Sequence, residues 1–573
     1  MSARAPRATR TRTSSGAVTA IGGSGLAGTS AGEETAEIAP AADPAMGGGA
    51  DGGRAERRRW VWPAGYALAA VALFFCYLRI AGTQPVTSDG ATLAAQAWDM
   101  LHGNWLLKGW TLTDVSFYTT ELPELIVVET FRGFGAFDVH IAAALTYTLL
   151  VLLAGLLAKG RKTGAEGLVR VLIASGIMIA PQVGHGAFIL LLSPDHTGTG
   201  VPVLVTWLLL DRAPRRWWVP VLACLTLIWA LDGDRVVLLT AVAPLVLVTG
   251  TRAYQAVIQR REPVAGSWFE LSLAAAAIGA AALSSLSIDV IRHLGGFRLE
   301  PAPSDFSSVQ SMSEHFWWVT QGVFALYGSD FYSMKLHHSV ALVLLHFVGL
   351  ALAATAVCLG VRRFLAGGDL IVPLLTSAVL INLGLYLFST VPVSIWSGRE
   401  IAFILPAGAV LAGRTLAGPV MRKKLLPLLG LVGLGYLVAL GYGVTRPQQP
   451  AEGQNLADWL VAHHLSYGLS GYGFGPATTV ASGGQVQLRQ ATWLRDRIAP
   501  GPEEFDTSWY DPAKHDANFV VAPVKPGPSD QLSTAQVTRI FGPPVHVYHV
   551  GGQFIIMTYD YNLLKGPSGR PPT

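Results

Sequence analysis

Apolar and polar positions alternate in long blocks along this chain. Eleven apolar segments lie at about 60–80, 138–158, 168–192, 199–211, 217–231, 235–250, 268–290, 337–360, 369–391, 401–417 and 425–444. Their length and composition predict transmembrane helices. Two of the polar stretches between them are long. Within 81–137 the pattern predicts two amphipathic helices: Leu93, Ala97 and Leu101 share a stripe over 91–101, and Leu122, Leu125, Ile126 and Glu129 share one over 121–131. Both are too short to span and are expected in the membrane interface. Within 291–336 a helix is expected around 309–327, presenting Trp317 and Trp318.

The two ends of the chain depart from this pattern. Residues 1–59 are rich in Ala, Gly, Ser and Thr without periodicity, which predicts a disordered tail. Residues 446–573 predict a small α/β module. A helix is expected over 455–465, and Ser533-Thr534-Ala535-Gln536 has the form of a capping box. Strands at 546–550 and 553–557 flank Gly551-Gly552, a hairpin signal. No internal repeat is visible, which counts against a transporter built from two related halves.

Charge orients these elements. Lys159–Lys162, Arg212–Arg216, Arg260–Arg261, Arg362–Arg363 and Arg422–Lys424 fall in one set of loops, whereas Asp89, Asp195–His196, Asp232–Asp234 and Arg399–Glu400 fall in the other. The positive-inside rule makes the first set cytoplasmic, with the 1–59 tail, and places the second set and the 446–573 module outside the membrane. Hydrophobic residues at 51% and charged residues at 14% leave too little polar surface for a soluble protein. The formal charge of +4 is accounted for by the basic loops and gives no reason to invoke nucleic acid. Cys76, Cys224 and Cys358 sit inside apolar segments without metal-ligand spacing. A P-loop, a dinucleotide fingerprint and a kinase signature are all absent, so no nucleotide cofactor is expected. The Ala/Gly-rich spans suit a bacterial plasma membrane.

The candidate chemistry lies at the outward ends of the spans. Asp89, in Thr87-Ser88-Asp89-Gly90, is placed to act as general base toward an acceptor hydroxyl or to cap the helix that follows. The 217–231 segment reaches only ~22 Å at 1.5 Å per residue against a ~30 Å hydrocarbon core. Asp232-Gly233-Asp234-Arg235 therefore reads either as the floor of a water-filled cavity or as a self-neutralised turn. Asp232 and Asp234, with Asp195 nearby in type and depth, leave room for a divalent ion, although two carboxylates do not define a site. His196 is a candidate for proton transfer or phosphate binding and His185 for lining the cavity, against simple local hydrogen bonding. Arg399 is a candidate phosphate ligand, the alternative being a surface pair with Glu400. Asp114, Glu121 and Glu124 read as solvated faces or helix caps.

This pattern resembles the C-type glycosyltransferase superfamily, polytopic enzymes that use polyprenyl-phosphate sugars. The resemblance rests on the cytoplasmic N-terminus, on Asp89 early in a long first outward loop with two short helices, on about eleven spans, and on the outward C-terminal module. It implies an α-helical polytopic membrane glycosyltransferase. Such an enzyme would move a hexosyl or pentosyl group from a lipid-linked donor to an acceptor at the outer membrane face, with Asp89 activating the acceptor or organising a metal and Arg399 or Arg235 stabilising the departing phosphate. Several members carry an adjacent acidic pair in this loop; here the pair is replaced by Asp89-Gly90. Two other functions are compatible with the residues alone: a non-catalytic scaffold or sensor that binds a partner through the outward module, and a lipid or sugar transporter.

Overall fold

The computed structural model describes residues 49–573 apart from 302–304, 333–339, 365–367, 495–496, 502–503, 526–531 and 566–573. Residues 1–48, which hold most of the expected disordered tail, lie outside the described residues. Residues 49–59 are helical, against the expectation of an irregular tail up to that point.

Each of the eleven apolar segments contains helix. By length and composition, eight helices among the described residues can cross a membrane: Pro63–Ala81, Ala136–Lys159, Leu238–Gln259, Val264–His293, Val340–Arg363, Ile371–Phe388, Trp396–Arg422 and Leu426–Val444. The other segments form shorter helices. The segment expected as one span over 168–192 is broken into Gly164–Met178 and His185–Leu191. Pro181, which has no N–H to donate, and Gly184, at φ +115°, lie in the break.

Helix Trp396–Arg422 is the centre of the bundle, with 94% of its apolar window buried. Gly413 lets it approach its neighbour closely, since a Cβ there would lie 2.6 Å from the Arg170 carbonyl oxygen. Near its C-terminal end Arg414 is buried and pairs with Asp211 at 2.7 Å and Asp369 at 2.9 Å. These contacts fix the rotation of the helix, and so fix where Arg399 and Glu400 point at its other end.

The first-loop helices form at Ser88–Leu101 and Glu121–Arg132. Ser88–Leu101 is buried on more than its leucine stripe and is wedged among Glu121–Arg132, Ala136–Lys159 and the module helix Gly475–Ala481. Small residues on its second face explain why it packs inside protein when an interfacial position was expected. At Gly90, for example, a Cβ would lie 2.8 Å from Val139 Cγ1. The second loop contributes a helix at Met312–Leu326, close to its expected place.

The strands are β1 (Trp110–Leu112), β2 (Arg298–Leu299), β3 (Tyr467–Ser470), β4 (Gln487–Leu494), β5 (Arg497–Pro500), β6 (Phe505–Asp506), β7 (Phe519–Pro523), β8 (His546–Val550) and β9 (Phe554–Thr558). The module is built on a six-stranded sheet of order β5-β4-β3-β7-β9-β8, parallel at β4/β3/β7 and antiparallel elsewhere. Its expected features are present: a helix at Gln454–Ala462, the Ser533 capping box, and a hairpin turn with Gly551 and Gly552 at φ +59° and +66°. A second sheet, β2-β1-β6, joins the second loop, the first loop and the module.

Candidate functional site

The C-terminal end of helix Trp218–Leu231 and the turn after it need partners for their carbonyls, and the first loop supplies them. Thr119 Oγ1 donates to the Trp229 carbonyl at 2.6 Å, and Phe117 N donates to the Gly233 carbonyl at 2.8 Å. This brings the 115–121 stretch against the 232–236 turn. On the other side, the 193–199 turn and the N-terminal turn of Trp396–Arg422 complete a cluster of charged side chains.

At the centre is Arg399. Its Nη2 donates to Asp89 Oδ2 at 2.8 Å and its Nη1 to Asp195 Oδ2 at 2.5 Å. The second oxygen of Asp89 accepts from the Tyr472 hydroxyl at 2.9 Å. Neither Ser88 nor Asp89 caps the Ser88–Leu101 helix. Ser88 Oγ donates to the Tyr472 carbonyl at 2.6 Å, and the N-cap residue, Thr87, makes no side-chain cap. Asp89 thus faces a cavity and keeps 36% side-chain exposure, which leaves it accessible to a ligand.

Glu400 does not pair with Arg399. It lies 3.3 Å from His196 Nε2, while His196 Nδ1 lies 2.8 Å from Asp234 Oδ2. Asp234 also accepts from Thr199 Oγ1 at 3.2 Å and Val236 N at 2.8 Å. Burial disfavours the imidazolium of His196, but Glu400 and Asp234 outweigh that and raise it to about 10. His196 is therefore a cation at neutral pH with both ring nitrogens engaged. It takes a left-handed backbone, φ +55°, and packs edge-on against Phe117, itself at φ +49°, with 5.2 Å between ring centroids. Two such residues in contact carry on the order of 1–3 kcal/mol of strain each.

Behind the cluster, burial holds the Glu121 carboxyl well above the ordinary carboxylate range, more than the Thr120 hydroxyl beside it offsets. Glu124 is also buried, hydrogen-bonded to Thr146, and burial raises it to about 7. Neither is a solvated face, because their helix packs between Ser88–Leu101 and Ala136–Lys159.

A cavity of about 200 Å³ opens on this cluster, with four carboxylates (Asp89, Asp114, Asp195 and Glu504) and two cations (Arg399 and His196) in its wall. Of the residues singled out from sequence, Asp89, Asp195, His196, Asp234 and Arg399 come together here. Asp232 and Arg235 do not. They line a separate cavity of about 280 Å³, where Asp232 accepts from Ser287 at 2.8 Å. Arg235 is exposed and forms no ion pair among the described residues. His185 pairs with Asp330 at 2.8 Å, away from the cluster cavity. Tyr472 and Glu504 went unrecognised in the sequence. Tyr472 stands in Gly471-Tyr472-Gly473-Phe474-Gly475, a glycine-rich run that was the one local sign of a close-packed loop.

The donors do not fit a resident divalent ion. Asp232 lines the separate cavity whereas Asp234 turns to His196, and both oxygens of Asp234 are engaged. Asp195 keeps a buried Oδ1 without a partner, but the position between Asp89 and Asp195 is taken by the guanidinium of Arg399. No group of three metal-ligating side chains occurs among the described residues.

No family model matches the chain, and no curated protein matches its sequence. The solved structures similar to this chain include two from Archaeoglobus fulgidus. Both are oligosaccharyltransferases. One is tethered through a disulfide to an acceptor peptide containing the NVT sequon; it matches over 81% of this chain and 70% of its own, with 12% identity and a TM-score of 0.44. The other is a complex with Zn and sulfate, matching over 80% of this chain and 67% of its own, with the same identity and TM-score.

Proposed function

We propose that this chain is a membrane glycosyltransferase of the C type that moves a sugar from a polyprenyl-phosphate donor to an acceptor hydroxyl at the outer face of the plasma membrane. The carrying observation is the convergence of Asp89, Arg399, Asp195 and Tyr472 on one cavity, from four segments far apart in sequence. Such a pocket with convergent polar groups is where an active site is sought.

Asp89 is the catalytic residue in this reading. Its carboxylate takes the proton of the acceptor hydroxyl as the oxygen attacks the anomeric carbon, and the lipid phosphate leaves from the opposite face with inversion. Arg399 positions Asp89 and, through its remaining N–H groups, stabilises charge on the departing phosphate. Excess carboxylates around the cavity favour the positive charge that builds on the sugar ring in an oxocarbenium-like transition state.

A lipid-linked donor is supported by a neighbouring groove of about 310 Å³. Val236, Leu239, Phe306, Leu385 and Val391 form much of its apolar wall, and Glu400 belongs to both the groove and the charged cluster. Asn382 Oδ1, buried there without a partner, offers an acceptor to a sugar hydroxyl. The direct test is transfer by the purified protein in lipid, given polyprenyl-phosphate hexoses and pentoses and a membrane-derived acceptor fraction. Labelled product that depends on the chain supports the proposal; none from any donor removes it.

The alternative in which the module is a scaffold has one observation in its favour. The bond from Tyr472 to Asp89 also latches the module to the first loop. The two readings separate on sugar transfer: the first requires it of the native protein and its loss in Asp89→Asn, whereas the second has no transfer in either.

A further inference from the structure

Another cavity, about 370 Å³, lies between the first loop and the module and differs in character from the charged cluster. Its wall is aromatic. Trp98 packs on Phe134 with 5.6 Å between centroids, and Trp110 meets Trp509 edge-on at 5.0 Å. Gly483 and Gly484, at φ +62° and +79°, bring the module loop close enough that a Cβ on Gly484 would touch Phe134 at 3.3 Å.

Between the rings stand planar polar groups held in fixed orientations. Asp99 Oδ2 accepts from Trp110 Nε1 at 2.8 Å and from Asn104 Nδ2 at 2.6 Å, which sets the carboxylate plane and leaves Oδ1 as an acceptor. Arg489 lies over Trp509 at 4.1 Å and donates through Nη2 to Gln487 at 2.9 Å, while its Nε is buried without a partner. The Gln487 amide nitrogen keeps its donors. The charges of Asp99 and Arg489 balance, and Asp506 is close enough to both to interact with them, so the cavity has no positive excess to hold a phosphate or a carboxylate.

Flat aromatic faces beside charge-balanced planar donors and acceptors match a neutral sugar. Its C–H faces stack on rings while its hydroxyls accept hydrogen bonds from amide and guanidinium and donate to the carboxylate. The cavity also has a fixed relation to the charged cluster. In β1 and the residues after it, Trp110 lines the aromatic cavity and Thr113 lines the catalytic one, three residues or ~10 Å apart along an extended strand. The paired segment repeats this, with Glu504 at one cavity and Trp509 at the other.

We propose that the aromatic cavity bounded by Trp98, Trp110, Trp509, Asp99 and Arg489 is a carbohydrate-binding subsite that holds a neutral glycan. Its service as the acceptor subsite, with the glycan end directed along β1 toward Asp89, rests on the transferase reading above. The acceptor class is then an oligosaccharide.

The test is binding without turnover, on the full-length Asp89→Asn protein in nanodiscs. Short neutral oligosaccharides with hexopyranose or pentofuranose backbones are titrated by calorimetry and by saturation-transfer NMR. Saturable binding of at least one is expected, weakened by about tenfold or more in Trp509→Ala and in Gln487→Ala. The Gln487 change removes a donor with little packing, so it covers the case in which Trp509→Ala fails to fold. Trp217→Ala, at a 75% exposed tryptophan outside the cavity, should leave binding unchanged. No binding by any oligosaccharide overturns the proposal. So does binding indifferent to both cavity variants, or saturation of the cavity by an uncharged peptide in place of sugars. Glycan binding that depends on Gln487, in a protein without transferase activity, would retain the subsite and remove only the acceptor role.

Discussion

Arg399 and Glu400 are neighbours in sequence and turn to opposite partners: Arg399 bridges Asp89 and Asp195, whereas Glu400 reaches His196. The 3₁₀ turn Trp396–Ile401 explains the divergence, because successive side chains on it point about 120° apart. One turn of backbone thus organises two ion networks, and the buried pairing of Arg414 at the far end of the helix keeps that turn in place.

Replacing Arg399 by Lys keeps the charge and loses the planar fork, so one ammonium cannot hold both carboxylates as the guanidinium does. Transfer by Arg399→Lys should fall on the order of a hundredfold, the cost of removing one transition-state donor. Melting temperature and detergent extraction should stay near those of the native protein. Initial rates with saturating donor check this.

Tyr472→Phe removes one hydrogen bond to an ionised carboxylate and leaves the ring. A loss of about 1.5 kcal/mol in transition-state stabilisation, roughly tenfold in kcat/KM, is expected. Limited proteolysis should still find the module docked, because the Gly475–Ala481 helix packs on Ser88–Leu101 independently of the hydroxyl.

How legible was this in the sequence? The hairpin at 546–558 and the Ser533 capping box were readable because their signals are local: two glycines able to adopt positive φ, and a Ser-x-x-Gln spacing. Asp89 stood out by its position after the first span. Tyr472 and Glu504 did not, since they reach the cavity through contacts with residues hundreds of positions away. The β2-β1-β6 sheet has strands of two or three residues, too short for any alternation to register. Asp232 and Asp234 looked like a pair because they are two apart. The turn sends one to Ser287 and the other to His196.

The His196 imidazole, raised to about 10 by Glu400 and Asp234 against the pull of burial, binds its proton more tightly folded than unfolded. The stability it contributes is complete below pH ~6.5 and is lost as pH climbs toward 10. Glu129, which burial raises to about 9, titrates in the same window, so the informative quantity is a difference. The melting-temperature advantage of native protein over His196→Gln should be largest near neutral or lower pH and shrink toward pH 10. An advantage that grows with pH would contradict the imidazolium.

Because Arg399 fills the place between Asp89 and Asp195, transfer should persist after treatment with EDTA and dialysis. Activity lost on chelation and restored by Mg²⁺, Mn²⁺ or Zn²⁺ would mean that the guanidinium yields its position to an ion. Initial rates before and after metal replacement decide the matter.

The most direct measurement is single-turnover sugar transfer by the Asp89→Asn protein in lipid, beside its melting temperature. Asparagine has nearly the same shape and can keep the contacts to Tyr472 and Arg399, but it is not basic. Transfer should drop by about 10²–10⁴-fold, the contribution of a general base, with the fold intact. A well-folded Asn variant that transfers sugar at the native rate would show that Asp89 is a latch between loop and module and would end its assignment as the base.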